Sequence, residues 1–145
     1  ARKTHAKHYL PALILLGAEL GASKQELLDL DWSRIDLDRG TIHLRRDKNK
    51  TERTLPLMNR SLEALRHWRE HLDRERTRKG ILAKSDAVFC QQDGTPFQSF
   101  DSSYRRACKL ARIKDYHFHD NRHTFCSNVI LAGGTLKDAQ ELINA

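Results

Sequence analysis

The sequence predicts a mainly α-helical domain with a small antiparallel β-sheet. Apolar residues recur at helical spacing along most of the chain. Two short segments instead alternate apolar and polar residues, which is typical of strands, and a polar loop joins them. The length of 145 residues fits one domain, spanning residues 1–145, with a single hydrophobic core.

The N-terminal part of the chain carries two helix signals. Gly21 ends an apolar pattern that predicts a buried helix over residues 8–20. Ser23 and Glu26 then have the S-x-x-E spacing of a capping box. A short helix is therefore expected to open there and to run as far as Leu30.

A β-hairpin is predicted in the middle of the chain. Residues 41–45 and 53–57 both alternate, and the polar residues 47–51 lie between them. Pro56 has no backbone N–H to donate, so the second strand must lie at a sheet edge or end there.

The second half of the chain is again helical in pattern. Apolar residues at helical spacing predict these further helices: 59–78, 99–112, 119–132 and one from Thr135 onwards. A short buried segment at 87–89 and a turn at 92–96 separate the first two. Gly133 and Gly134 end the third.

The charge of the chain favours an anionic partner. With 26 Lys and Arg against 19 Asp and Glu, the net charge is +7 and the pI about 9.6. Such a field attracts polyanions, of which DNA is the commonest, although solubility alone explains it too. No apolar run approaches the roughly 18 residues of a membrane span, and no secretory signal opens the chain, so we expect a cytoplasmic protein without a membrane partner. The three cysteines are widely spaced without a CxxC pair, which predicts reduced thiols.

The chemically most informative stretch is residues 119–125, HDNRHTF. Helical spacing places His119 and Arg122 on one face, one turn apart. Arginine clamps phosphate with two hydrogen bonds, and histidine donates to a phosphate oxygen or moves a proton. Taken alone, the pattern also fits a helix cap followed by solvated charge.

The context of this stretch resembles the second conserved box of the tyrosine recombinases, or phage integrases. That box reads H-x-x-R-H-T-F, then small residues, glycine and an amphipathic helix. Asn121 stands where leucine is usual, and residues 142–144 stand where the family has L-L-G before a His or Trp.

Residues 21–36 resemble the first box of the same family. Seven positions fall in register: Gly21, Glu26, Leu27, Leu30, Trp32, Ile35 and Asp36. Arg34 replaces the usual aspartate, and Ser23 stands at the place of the family's first catalytic arginine. Lys24 follows directly and offers positive charge, but it points about 100° away on a helix.

The predicted hairpin resembles a third element of the family, a catalytic lysine in a loop before an R-x-x-P-L ending. Lys48 lies eight residues before Pro56, and residues 53–57 supply the ending. Lys50 is less well registered, and solvated loop lysines remain the alternative for both. Three boxes in the right order identify the chain as a member of the family.

The resemblance implies an integrase-like catalytic core that cleaves and rejoins DNA through a 3′-phosphotyrosine, without cofactor or metal. Lys48 would be the general acid, and His119 would assist proton transfer or hydrogen-bond the phosphate. Arg122 would clamp the phosphate, with Ser23 in the place of the first clamp. The expected further DNA contacts are Lys24, Arg45, Arg46, Lys50 and His123.

The family's nucleophile falls beyond Ala145, whereas Tyr9, Tyr104 and Tyr116 all precede His119. We therefore expect a partial catalytic domain that binds double-stranded DNA but does not cleave it. The full-length protein would assemble as a tetramer on DNA in a bacterial or phage-derived, nucleoid-associated setting, and this chain alone would be a monomer.

Two alternatives remain open at this stage. Ser23 marks either an inactivated enzyme or a DNA-binding module derived from a recombinase, and it fits a helix N-cap in both cases. The histidines His117, His119 and His123 form a cluster that could suggest zinc, but no H-E-x-x-H pattern or cysteine completes a familiar ligand set.

Overall fold

The computed structural model describes residues 2–46, 51–114, 116–135 and 137–138. Helices dominate this part of the chain, and one small antiparallel sheet accompanies them, as predicted. The helices are α1 (Arg2–Leu20), α2 (Lys24–Leu28), α3 (Asn59–Lys79), α4 (Asp101–Leu110) and α5 (Asp120–Leu131). The strands are β1 (Ile35–Asp36), β2 (Thr41–Arg46) and β3 (Thr51–Pro56), and a 3₁₀ helix spans Trp32–Arg34.

Helix α1 forms the centre of the helical layer. It packs against α3 on one side and α5 on the other, and Leu13 and Leu16 are fully buried between them. The predicted start at residue 8 was wrong, because polar residues before it also contact α3: the ring of His5 lies 4.9 Å from that of Trp68. The predicted end is confirmed, since Gly21 adopts a left-handed φ of 66°.

Helix α2 begins with the predicted capping box. The backbone N–H of Glu26 donates to Ser23 Oγ at 3.2 Å, and the N–H of Ser23 donates to Glu26 Oε1 at 3.1 Å. The helix ends at Leu28 rather than at Leu30. The chain beyond it turns to pair with the buried segment at 87–89, where the Val88 N–H donates to the Leu30 carbonyl.

The sheet has the order β1-β2-β3, and both pairs are antiparallel. Ile42 lies opposite Leu55, and both side chains are buried against the helices. The predicted hairpin is confirmed, and β3 ends at Pro56 on the sheet edge as expected. Strand β1 was not predicted, because two residues are too few to show an alternating pattern.

Helix α3 matches its predicted range closely and anchors the core through Trp68. This side chain is fully buried, and its Nε1 donates to the Val88 carbonyl at 2.7 Å. A buried indole N–H needs such a partner, so the bond fixes segment 87–89 against α3. The three cysteines are free, and Cys90 is buried in this core.

The approach of α5 to α1 depends on a glycine. A Cβ at Gly17 would lie 2.9 Å from the tip of the Phe118 ring and 3.3 Å from Cβ of Asn121. Only glycine therefore allows this close contact, which brings the start of α5 next to the end of α1.

The end of the described chain follows the prediction in part. Helix α5 ends at Leu131, before Gly133 with its left-handed φ of 96°. The N–H of Asp138 donates to Thr135 Oγ1 at 3.1 Å, the bond expected of a second capping box. The rest of the predicted last helix lies outside the described residues. No helix within those residues is long and apolar enough to cross a membrane.

Candidate nucleic-acid interface and phosphate site

An open cleft of about 460 Å³ lies where the start of α2, helix α4 and the start of α5 meet. It brings together four of the residues that the sequence assigned to the site: Ser23, Lys24, His119 and Arg122. They come from opposite halves of the chain, so the fold joins the two matched boxes. Further lining residues were not assigned from the sequence: Asp101, Tyr104, Arg105, Tyr116 and His117.

Ser23 contributes a helix cap at the rim of this cleft. Its hydroxyl accepts the Glu26 N–H, so its role as the N-cap of α2 is confirmed. A hydroxyl carries no charge, and one of its lone pairs is already used by the cap. Ser23, which the sequence resemblance places at the family's first arginine, therefore has no charge with which to hold a phosphate oxygen.

Lys24 lies in the same cleft despite its different direction on the helix. Its Nζ forms an ion pair with Asp101 Oδ2 at 2.6 Å and lies 5.7 Å from the centre of the Phe100 ring. Both charged groups are partly exposed, with 39% and 52% of their side-chain surface accessible. The positive charge is thus placed at the cleft but is shared with a carboxylate.

His119 and Arg122 flank the first turn of α5. The Arg122 N–H donates to the His119 carbonyl at 3.0 Å, so the two residues lie one turn apart as predicted. His119 is exposed, whereas Arg122 is half-buried. The positive end of the helix dipole adds to the charge of Arg122 here, which favours an anion at this end of the cleft.

A polar contact at the cleft engages Tyr116, one of the two tyrosines that line it. The hydroxyl of Tyr116 donates to Asn121 Oδ1 at 2.7 Å and lies 3.3 Å from Thr124 Oγ1. Asn121 is buried, so this bond provides its Oδ1 with a partner in the interior. The leucine that the family usually has at this position would not accept it.

The other two tyrosines belong to the packed core, as predicted. Tyr9 and Tyr104 are each 5% exposed. Burial raises the pKa of both phenols. Neither is placed as an accessible nucleophile, because ionisation inside the core is unfavourable.

A buried ion pair lies directly under α2 and was missed at the sequence level. Arg53 Nη1 lies 3.0 Å from Glu26 Oε2, and its Nη2 donates to Glu26 Oε1 at 3.3 Å. The pair connects the capping box of Ser23 to strand β3. The R-x-x-P-L and S-x-x-E patterns each contain one partner, but nothing in either pattern indicates that they meet.

The remaining predicted DNA contacts lie outside the cleft or outside the described residues. Arg45 is exposed on β2, with Nε 3.8 Å from Glu52 Oε1. His123 is exposed on α5, and its ring centre is 5.8 Å from that of His119. Lys48 and Lys50 fall outside the described residues, and so does the side chain of Arg46.

A metal centre finds no support in this region. Across the described ranges, no group of three or more His, Cys, Asp or Glu side chains could hold a metal ion. His117, His119 and His123 therefore do not form such a group, and only the first two line the cleft.

Solved structures with the same architecture are tyrosine recombinases. The chain superposes on the crystal structure of XerA recombinase with a TM-score of 0.80 and 22% identity, covering 98% of this chain and 51% of that one. It also matches XerH site-specific recombinase bound to its difH substrate, with a TM-score of 0.74, 23% identity and coverage of 99% and 41%. The fold is therefore that of a tyrosine recombinase catalytic domain.

Sequence comparison assigns the family. The model described as the phage integrase family matches residues 1–144, and the chain belongs to that family. It is 30% identical over 135 residues to the tyrosine recombinase XerC of Xanthomonas axonopodis pv. citri (strain 306), covering 91% of this chain and 41% of that protein. A shufflon-specific DNA recombinase of Escherichia coli is 32% identical over 118 residues, with coverage of 81% and 27%. The chain thus spans less than half the length of these curated relatives.

Proposed function

We propose that this chain forms the phosphate-binding part of a tyrosine-type site-specific DNA recombinase. One observation carries the proposal: the cleft joins Ser23 and Lys24 of the first box to His119 and Arg122 of the second. Those boxes are the parts of the sequence that resemble the phosphate-activating residues of the family. Its relatives are named as a tyrosine recombinase and a shufflon-specific DNA recombinase, and a structure of the same fold is named as a site-specific recombinase.

The chemistry of the cleft suits a DNA phosphate. Arg122 would clamp a non-bridging oxygen, where negative charge collects in the transition state. His119, exposed at the start of α5, would donate to a second oxygen or move a proton. Lys48, which lies outside the described residues, would protonate the leaving 5′-oxygen by resemblance to the family. Side-chain cations would supply the electrostatic stabilisation, so no metal is needed.

Double-stranded DNA is the proposed partner, and Arg45, Arg46, Lys50 and His123 are proposed as further contacts to its backbone. The positive charge of the arginines and the lysine, within a net charge of +7, would produce affinity that falls steeply with salt. We propose that the full-length recombinase works as a tetramer on DNA. The chain studied alone would be monomeric, and a light-scattering mass above one protomer would contradict that.

The chain itself is proposed to bind DNA without cleaving it. Tyr9 and Tyr104 are buried, and the Tyr116 hydroxyl is engaged by Asn121. A second candidate, a recombinase-derived DNA-binding module without catalysis, is favoured by the uncharged Ser23 at the place of an arginine. Both candidates predict binding, and they differ in whether the full-length reading frame cleaves.

The test uses the chain and its full-length parent side by side. Fluorescence anisotropy with a labelled duplex should give a dissociation constant of roughly 1–100 μM for the chain near physiological salt, with strong salt dependence. Denaturing gels should show a covalent protein–DNA adduct with the parent only. An adduct with the chain alone would overturn the proposal, and no adduct with the parent would favour the non-catalytic module.

A further inference from the structure

We propose that Asp101 is an internal competitor of DNA at the cleft: its carboxylate holds the Lys24 ammonium until a DNA phosphate displaces it. Asp101 would thereby limit the affinity of the cleft for DNA. The inference rests on the proposed function, because it assumes that the cleft receives a phosphate.

The geometry places the carboxylate where a phosphate oxygen would otherwise bind. Asp101 Oδ2 lies 2.6 Å from Lys24 Nζ, which is the distance of a charge-assisted hydrogen bond. Lys24 directly follows Ser23, the residue that stands where the first box places its arginine. The cation nearest to the missing arginine is therefore occupied by an acidic side chain from α4.

The surroundings make Asp101 the exception among the charged groups that line the cleft. Lys24, Arg105 and Arg122 carry positive charge there, and Arg105 lies one helical turn from Asp101. The hydrogen bond from Lys24 lowers the pKa of Asp101, so the carboxylate stays ionised throughout the neutral range. A phosphate entering the cleft meets this negative charge and loses part of the attraction of Lys24.

The ion pair is nevertheless easy to open. Both side chains are partly exposed, and exposed ion pairs contribute little net stability. The Lys24 side chain is long and flexible, so its ammonium can exchange a carboxylate for a phosphate without movement of α2. The pair thus suits a reversible exchange rather than a structural support.

A positioning role for Asp101 would predict the opposite change in DNA affinity. If Asp101 positioned Lys24 for phosphate binding, its removal would weaken binding of DNA. If Asp101 competes with phosphate, its removal strengthens binding, and the gain depends on Lys24. The sign of the change therefore separates the two roles, and a double substitution identifies the partner.

The experiment measures duplex DNA affinity by fluorescence anisotropy over a range of salt concentrations. The variants are Asp101→Asn, Lys24→Gln and the double variant, and Asp73→Asn on the exposed face of α3 is the matched control. We expect Asp101→Asn to bind about 3–10-fold more tightly and to steepen the salt dependence by about one released ion. The control should change affinity less than about 2-fold, as should Asp101→Asn in the Lys24→Gln background.

The outcomes of this experiment test the inference and the proposed function separately. Weaker or unchanged binding by Asp101→Asn, with normal binding by the unaltered chain, overturns this inference alone. A full gain in the Lys24→Gln background also overturns it, because the effect would then be general repulsion. Absence of binding by every variant at low salt contradicts the proposed function as well. Thermal unfolding of each variant confirms that the fold is retained.

Discussion

Glu26 and Arg53 form a buried ion pair, with 1% and 6% of their side-chain surfaces exposed. They lie 27 residues apart in sequence, one in α2 and one in β3. Glu26 also accepts the backbone N–H of Ser23. The same carboxylate therefore holds the N-terminus of α2 and fastens the hairpin to it.

Removal of one partner should be costly because the remaining buried charge loses its ion-pair partner at 3.0 Å. We expect Glu26→Ala to lower the free energy of unfolding by about 3–5 kcal/mol, measured by urea denaturation. The double variant Glu26→Leu with Arg53→Met removes both charges and should cost much less than the sum of the single losses. A loss below about 1 kcal/mol for Glu26→Ala would show that the pair is not buried in solution.

Substitutions at Ser23 separate the stability that the helix cap provides from the DNA affinity that a positive charge at this position would provide. Ser23→Ala should lose about 1 kcal/mol of stability because the Glu26 N–H loses its acceptor, whereas Ser23→Thr should retain most of it. Ser23→Arg should lose a similar amount but bind duplex DNA more tightly, with a steeper salt dependence. Equal DNA affinity for Ser23→Arg and Ser23→Ala would contradict a phosphate position beside residue 23.

Arg122 should be the strongest contact to phosphate in the described cleft. We expect Arg122→Ala to weaken duplex binding roughly 10-fold and Arg122→Lys to recover only part of it, because lysine lacks the bidentate geometry. Anisotropy titrations measure both. Arg39→Ala is the control, since Arg39 is exposed in the turn before β2. Equal losses for Arg39→Ala and Arg122→Ala would indicate binding by overall charge alone.

Stability should depend on pH through a histidine cluster between α1 and α3. The rings of His8 and His71 stack with their centres 3.8 Å apart, and His8 Nδ1 lies 2.9 Å from His67 Nε2. Burial lowers the pKa of His71 to about 4, and burial also lowers the pKa of His5 and His8. Nearby positive charges on Lys7 and Arg74 reinforce the effect on His8.

The direction of this pH dependence follows from the difference in proton binding between the unfolded and the folded chain. Below the ordinary histidine pKa of 6.5, the unfolded chain binds protons that the folded chain does not, because the pKa of His71 is lowered to about 4 and those of His5 and His8 are lowered too. The free energy of unfolding should therefore fall by about 1–2 kcal/mol between pH 7 and pH 5. Denaturation at both pH values measures the change. His71→Phe should reduce the change in the free energy of unfolding with pH. The matched variant His123→Gln on α5 should leave that change as it is. A free energy of unfolding that is equal at both pH values for the unaltered chain would contradict the role of the histidine cluster.

Local signals in the sequence predicted local structure well. The capping box at Ser23, the range of α3 and the strand end at Pro56 each depend on residues close together in the chain. The extension of α1 to Arg2 could not be predicted in this way, because contacts with α3 stabilise its polar first turns. Strand β1 could not be predicted either, because its two residues form a strand through their pairing with β2.

The residues of the candidate site also differ in whether a sequence pattern could predict them. The family patterns predicted that Ser23, His119 and Arg122 belong together, and all three line one cleft. No pattern indicated Asp101, because its importance arises from a contact with Lys24 across the fold. Tertiary contacts between charged groups leave no periodic trace, so an acidic residue in a basic cleft becomes visible only in three dimensions.

Gly17 affects the cleft although it carries no side chain, because its neighbour Phe118 lines that cleft. Any side chain there would push against Phe118, and Phe118 directly precedes His119. A mutational scan for loss of DNA binding should therefore recover substitutions at this buried helical glycine, although glycine has no side chain with which to contact DNA.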